Sequence, residues 1–284
     1  MKIITDSPIR FPGLFGDWAI TISSKAIDIG NGIYWYGILI ALGMLVALWW
    51  CMRQRTKYGI REDDLIDGLL WGIPSAIVGA RLYYVLFYLS EFKDHEGHFS
   101  WSKAIAIWDG GLAIYGGVIA VVIVAVILCR SRHIKLGAMM DLVVMGLLIG
   151  QAIGRWGNFF NQEAYGYEVS PDVVPWAMYI DGAYRHPTFL YESIWDIIGF
   201  FLLILASRSP KLKEGDIALL YFVYYSVGRF IIEGFRTDSL MLGPLRMAQV
   251  VCIVAIVASI VIAALRRKKA PSRAEILEIR QRKG

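Results

Sequence analysis

The chain has 284 residues, of which 57% are hydrophobic and only 19% charged, against about 25% charged in a soluble domain, and its mean hydropathy is +0.52. So little charge cannot coat a soluble fold of this size, which excludes a soluble α/β enzyme, a coiled coil and disorder. The net charge of +5 reads as the basic bias of cytoplasmic loops, not as a nucleic-acid footprint.

Residues 1–32 carry Asp6, Pro8, Arg10, Pro12 and Asp17 where a cleaved leader would need an unbroken apolar core. An ordered extracytoplasmic N-terminal segment is expected instead. Apolar runs long enough to cross about 30 Å of hydrocarbon then predict seven spans, near residues 33–52, 65–89, 108–129, 138–160, 188–206, 216–234 and 245–265. The expected fold is all-α and polytopic, with a seven-helix catalytic domain over 33–265 and a basic tail over 266–284. Alternate loops, together with the tail, hold eighteen Lys and Arg, whereas the opposite set holds seven. The positive-inside rule then places the N-terminus outside and the C-terminus in the cytoplasm. The three cysteines, Cys51, Cys129 and Cys252, lie far apart in or beside apolar runs and suggest neither a disulfide framework nor a metal site.

Four basic residues, Arg81, Arg155, Arg229 and Arg246, fall within or at the ends of spans. An arginine at membrane depth costs at least about 2.5–3.5 kcal/mol and marks a functional-site candidate by default, the alternative being a structural ion pair or a snorkelling end residue. At about 1.5 Å per residue, Arg81, Arg155 and Arg229 come out in the outer half of the bilayer. Tyr36, Tyr115, Glu192, Glu233 and Arg246 fall at outer helix ends. A cationic cavity open to the outer leaflet suits an enzyme acting on an anionic lipid headgroup. The competing reading is a lipid or anionic-solute transporter, but its usual internal repeat and midplane site are not evident.

The third span opens with Trp108-Asp109-Gly110-Gly111-Leu112-Ala113-Ile114-Tyr115-Gly116-Gly117, where glycines permit close backbone approach. The fourth ends in Gly154-Arg155-Trp156-Gly157-Asn158-Phe159-Phe160-Asn161-Gln162-Glu163, in which Arg155, Asn158 and Gln162 follow the spacing of one helix face. An arginine fork beside an amide donor suits a phosphodiester, while Gly150, Gly154 and Gly157 also suit close helix packing. His186, in Arg185-His186-Pro187-Thr188, is a candidate acid or base, or else orders its loop. Tyr225, Arg229, Glu233 and Arg236 form a stripe on the sixth span, whose plainer reading is an Arg229–Glu233 ion pair.

The run from Gly154 to Glu163, with Gly228-Arg229-Phe230-Ile231-Ile232-Glu233-Gly234-Phe235-Arg236, closely resembles prolipoprotein diacylglyceryl transferases. The segments Trp35-Tyr36-Gly37, Gly79-Ala80-Arg81-Leu82, Asp109 to Gly117 and His186-Pro187 follow in that family's order. The resemblance implies a multi-pass enzyme of the bacterial plasma membrane. It would move the sn-1,2-diacylglyceryl group of phosphatidylglycerol to the lipobox cysteine of a preprolipoprotein and release glycerol-1-phosphate. Phosphatidylglycerol, the preprolipoprotein and membrane lipids are the implied partners, with no cofactor and no metal. Arg155 and Arg229 would stabilise charge on the departing phosphate, and Tyr115, Tyr36 or His186 would assist thiol deprotonation. Asn158, Glu163, Tyr225, Glu233, Arg236, Arg81 and Arg246 are the expected substrate-binding positions, together with Arg155. Where some members carry a histidine before Gly-Gly in the third span, this chain has Tyr115.

Overall fold

The computed structural model describes residues 8–16, 18–28, 32–93 and 97–266. Among these the helices are α1 (Pro12–Phe15), α2 (Trp35–Gln54), α3 (Glu62–Phe87), α4 (Trp101–Ile105), α5 (Ile114–Ser131), α6 (Leu136–Phe160), α7 (Thr188–Ser207), α8 (Asp216–Glu233) and α9 (Met247–Arg266). A long helix stands at each of the seven expected spans. Six of them, α8 being the exception, are long and apolar enough to cross a membrane. Helix α8 carries Asp216, Arg229 and Glu233 within 18 residues, too many charges for a helix judged on composition alone. The basic tail expected beyond Arg266 lies outside the described residues.

The third span starts later than expected. Gly110 and Gly111 have φ of 86° and 71°, which a right-handed helix cannot contain, so α5 opens at Ile114 and a short 3-10 turn covers Ile107–Asp109.

Close contacts group the chain into two units, one made of residues 1–51 and 140–284, the other of 52–139. In the first, the N-terminal segment is not a separate strip. Strands β1 (Pro8–Arg10), β2 (Ala19–Thr21), β5 (Met178–Ile180) and β6 (Ala183–Arg185) form one antiparallel sheet in the order β2-β1-β5-β6. Ile9 pairs with Ile20, and Arg10 with Tyr179. β5 and β6 are joined by Asp181 and Gly182, both at positive φ (53° and 77°), as a two-residue turn that follows the sheet twist requires. Under the sheet, Ile9, Ile22, Met178 and Ile180 pack with Phe159 of α6 and Phe189 of α7. This binds the N-terminal segment and the 163–187 connection to the helix ends that carry the motifs. Two further hairpins, β3 (Lys25–Ile27) with β4 (Ile33–Tyr34) and β7 (Met241–Leu242) with β8 (Leu245–Arg246), lead into α2 and α9.

Small residues set how closely these helices approach. A Cβ on Gly43 of α2 would lie 2.8 Å from the Gly150 carbonyl oxygen of α6, and one on Gly157 would lie 2.7 Å from the Tyr36 ring. Between α7 and α8, Gly199 faces the Tyr224 ring and Gly228 the Trp195 indole. Those two rings stack with centroids 4.6 Å apart. Trp195 Nε1 donates to the Tyr224 carbonyl at 3.2 Å, and Tyr224 Oη donates to the Trp195 carbonyl at 2.9 Å. Asp141 of α6, fully buried, accepts the backbone N–H groups of Gly215 and Ala218 at 2.8 and 2.9 Å. It thus satisfies amides that the first turn of α8 would otherwise leave unpaired, and it ties α8 to α6.

The second unit is an antiparallel α3–α5 pair, in close contact where Gly79 meets Gly116. At one end Arg132 reaches Asp64 at 3.1 Å and also pairs with Asp67. At the other, α4 and the segment up to Ala113 join the two helices.

Candidate active site

In the first unit, α6, α7 and α8 bring Arg155, Glu192, Arg229 and Glu233 together. Glu192, on the first turns of α7, is the hub. Its Oε2 lies 2.6 Å from Arg155 Nε and its Oε1 lies 2.5 Å from Arg229 Nη1. Arg229 Nη2 lies 2.5 Å from Oε2 of Glu233, one helical turn along α8. The expected intrahelical pair therefore forms, as one edge of a larger network. Arg236 Nη1 stands 4.0 Å from Glu192 Oε1, while its Nε and Nη2 grip both oxygens of Asp238 at 3.0 and 2.8 Å. That grip is bidentate and outside the helix. Burial alone would raise the Asp238 carboxyl, but the hydrogen bond and charge of Arg236 hold it below its ordinary pKa.

Arg155 Nη2 donates to Tyr225 Oη at 3.3 Å. The carboxyls of Glu192 and Glu233 are only 5% and 3% exposed as residues, so these charges interact away from bulk water, where electrostatics is strong. Neither guanidinium spends all five of its N–H donors on the groups just named. The arrangement can thus hold two arginine forks rigidly and still present donors to an oxyanion.

Beside the network, a narrow cleft is lined by Glu192, Trp195, Asp196, Tyr225, Arg229 and Ile232. Asp196 is 1% exposed and its Oδ2 has no hydrogen-bond partner. Glu192 figured in the sequence only by its depth, and Asp196 did not figure at all. The available signal was two carboxylates four residues apart in an apolar span, one face of a helix.

The Gly154–Glu163 run does not stay helical to its end. Helix α6 stops at Phe160, and Gln162, at φ 53°, turns inward to donate to the Ile22 carbonyl at 3.4 Å. The shared face of Arg155 and Asn158 therefore excludes Gln162. Asn158, in the last turn of the helix, and Asn161, just past it, both donate to Glu163 Oε1, at 3.0 and 3.2 Å, which fixes that carboxylate. Gly166 follows where its amide donates to the His186 carbonyl at 2.9 Å, and a Cβ there would lie 2.7 Å from His186 Cβ.

His186 is half-buried, with Nδ1 3.0 Å from Tyr191 Oη. Trp176 Nε1 donates to that same hydroxyl at 2.9 Å, so Tyr191 holds both side chains of the connection against α7. Burial pushes the His186 pKa below its usual value. These bonds order the loop, as the plainer sequence reading has it. Tyr36 is exposed and lies against Gly157. Arg246 bonds Tyr167 Oη and, at 3.3 Å, Ser239 Oγ, with its guanidinium 5.5 Å from the Tyr167 ring centre.

Two expected residues lie in the second unit. Tyr115 is exposed on the first turn of α5, near Tyr83. Arg81 is buried and its five donors meet five backbone carbonyls, those of Ala104, Gly110, Gly111, Lys103 and Ala106, at 2.9, 2.5, 2.9, 2.7 and 3.0 Å. Its guanidinium is saturated by its own unit, which leaves no N–H for a phosphate. Among the described residues no group of three or more His, Cys, Asp or Glu is arranged to hold a metal ion.

The prolipoprotein diacylglyceryl transferase family matches residues 24–265. Among similar proteins, the phosphatidylglycerol–prolipoprotein diacylglyceryl transferase of Limosilactobacillus reuteri (strain DSM 20016) is 46% identical over 247 residues, covering 84% of this chain and 88% of its own. The enzyme of the same name from Bacillus velezensis is 46% identical over 259 residues, 87% of this chain and 93% of its own. That of Bacillus cereus (strain Q1) is 45% identical over 263 residues, 89% and 95%.

Proposed function

This chain belongs to the prolipoprotein diacylglyceryl transferase family, and from that premise we propose that it transfers the sn-1,2-diacylglyceryl group of phosphatidylglycerol to the lipobox cysteine of preprolipoproteins. It is a multi-pass membrane transferase of the bacterial inner membrane. The observation that carries the site assignment is the Arg155–Glu192–Arg229 bridge, two guanidiniums locked by one buried carboxylate in membrane-spanning helices.

That geometry supports the following chemistry. A cysteine thiolate attacks the glyceryl carbon bonded to phosphate oxygen, the C–O bond breaks, and the electron pair leaves on glycerol-1-phosphate while a thioether forms. Negative charge grows on the phosphate as it departs. Arg155 and Arg229 need no reorganisation to meet it, which is the source of preorganised electrostatic stabilisation. Tyr225 and Glu192 orient the two forks, Asn158 and Glu163 offer polar contacts to the glycerol headgroup, and Arg236 adds positive charge at the rim. A free thiol, of pKa about 8.5, is already a few per cent ionised at neutral pH, so a base accelerates the reaction without being obligatory. Tyr115, Tyr36 or His186 is the group proposed for that step, the His186 ring being oriented through its Nδ1 by Tyr191.

In the same proposal α8 is the seventh span, its three charges tolerated because they face protein partners. The N-terminus is then outside and the C-terminus cytoplasmic, with 1–32, 33–265 and 266–284 as outer segment, catalytic domain and basic tail. Incubating the purified protein with phosphatidylglycerol and a lipobox peptide is expected to add the mass of a diacylglyceryl group to the cysteine and to release glycerol-1-phosphate. Arg155→Ala and Arg229→Ala are each expected to lower the rate by about 10²–10³-fold, and full activity in either would remove the assignment. Tyr115→Phe is expected to slow the reaction across a profile from about pH 6 to about pH 9. An unchanged profile would exclude that hydroxyl from proton transfer.

A further inference from the structure

The α3–α5 connection has two faces. Inward, Phe92, Ala104 and Ala106 are buried, and Arg81 satisfies five carbonyls of residues 103–111 while its guanidinium lies 5.1 Å from the Phe92 ring centre. The Ala113 amide donates to the Ala80 carbonyl at 3.1 Å and closes the connection onto α3. Outward, Trp101, Ile105 and Trp108 are 73%, 65% and 77% exposed, at intervals of four and three residues.

We propose that this connection is a lipid-embedded platform, with Trp101, Ile105 and Trp108 inserted into the leaflet that borders the C-terminal end of α3 and the N-terminal end of α5. Three observations lead to lipid as the occupant. The segment runs directly between two helices long and apolar enough to span the membrane, and their antiparallel pairing brings both of its ends to one membrane surface. Its apolar side continues the exposed flanks of those helices, Phe87 at the end of α3 and Ile114 at the start of α5. Its largest exposed side chains are tryptophans, whose amphipathic rings favour the headgroup boundary.

Arg81 makes the arrangement affordable. Backbone carbonyls facing hydrocarbon without partners cost several kcal/mol each, and here a single side chain satisfies five of them from inside. Lys103, on the same turn, turns its Nζ to the Lys93 carbonyl at 3.2 Å and keeps its charge off the apolar side. The platform therefore needs no regular hydrogen-bonded element of any length to sit at the interface.

The test reads lipid contact, not transfer, so it can fail while the proposed activity stands. The full chain and its Trp101→Phe/Trp108→Phe variant are reconstituted in phosphatidylcholine–phosphatidylglycerol vesicles, and the difference in fluorescence isolates these two among the ten tryptophans. The expected difference emission is blue-shifted, quenched at least about twofold by lipids brominated near the carbonyl end of the acyl chain, and unaffected by aqueous iodide. Quenching by iodide but not by brominated lipid would place the surface in water and overturn the proposal. Quenching by neither would place it against protein, another copy of the chain included, and would overturn it equally. In an Arg81→Lys variant, which offers three donors where arginine offers five, iodide quenching of the same pair is expected to rise. If it does not, Arg81 is not what holds the platform in lipid.

Discussion

Glu192 shows how much one residue can hold. It is 5% exposed and neutralises two arginines at once, with a third at 4.0 Å. Removing one partner of a buried ion pair leaves an uncompensated charge, at a cost of about 3–5 kcal/mol. Glu192→Gln is therefore expected to destabilise the protein by that order and to lower transfer activity at least about tenfold, read by thermal unfolding in detergent and by the peptide assay. Equal stability and rate would show that the bridge is not needed. His186 supplies the pH dependence at this scale. Because burial lowers its pKa in the folded state, the unfolded chain binds its proton first as pH falls. The stabilisation it gives is complete above the ordinary value of 6.5 and is lost as pH drops below it toward the folded value. His186→Asn keeps a hydrogen-bond partner for Tyr191 and is expected to remove this acid sensitivity while retaining most of the neutral-pH stability, as a melting-temperature series against pH would show.

At the scale of elements, helix boundaries followed from composition wherever the chain is apolar, and failed where backbone conformation took over. Gly110 and Gly111 look like a permissive start to a helix, yet their positive φ delays α5 to Ile114. Gln162 fits a helical face by spacing, yet its own positive φ takes it out of the helix. Spacing reports which residues would share a face if the helix continued, and says nothing of whether it does. The position of α8 depends on a contact no periodicity reveals, the Asp141 carboxylate under its first turn. Asp141→Ala leaves two buried amides unpaired and is expected to cost about 1–3 kcal/mol. Because α8 carries Arg229, it is also expected to lower kcat more than it raises KM. An unchanged kcat would dissociate the cap from the site.

At the scale of the whole molecule, the uneven distribution of basic residues bears on topology. The proposed orientation is checked by single cysteines at Asp172, exposed in the 163–187 connection, and Lys211, because the native Cys51, Cys129 and Cys252 are all buried. A membrane-impermeant thiol reagent applied to intact cells is expected to label the first and spare the second. The reverse pattern, or labelling of both, would refute the seven-span arrangement.

The amino-acid sequence by itself determined that this chain belongs in lipid, where its long helices run, and which family its Gly154–Glu163 and Gly228–Arg236 runs resemble, because hydropathy and short motifs are local properties of adjacent residues. Only the tertiary structure decided what the charged minority does. Arg155, Glu192 and Arg229 stand on three helices 37 residues apart in sequence at each step, and no local pattern tells which arginine a carboxylate will meet. Arg81 and Arg155 look alike as cations at membrane depth, but one closes on five carbonyls and the other on a carboxylate and a phenol. The difference lies in which backbone or side-chain acceptors the packed chain brings within hydrogen-bond reach, and an extended sequence does not contain that information in readable form.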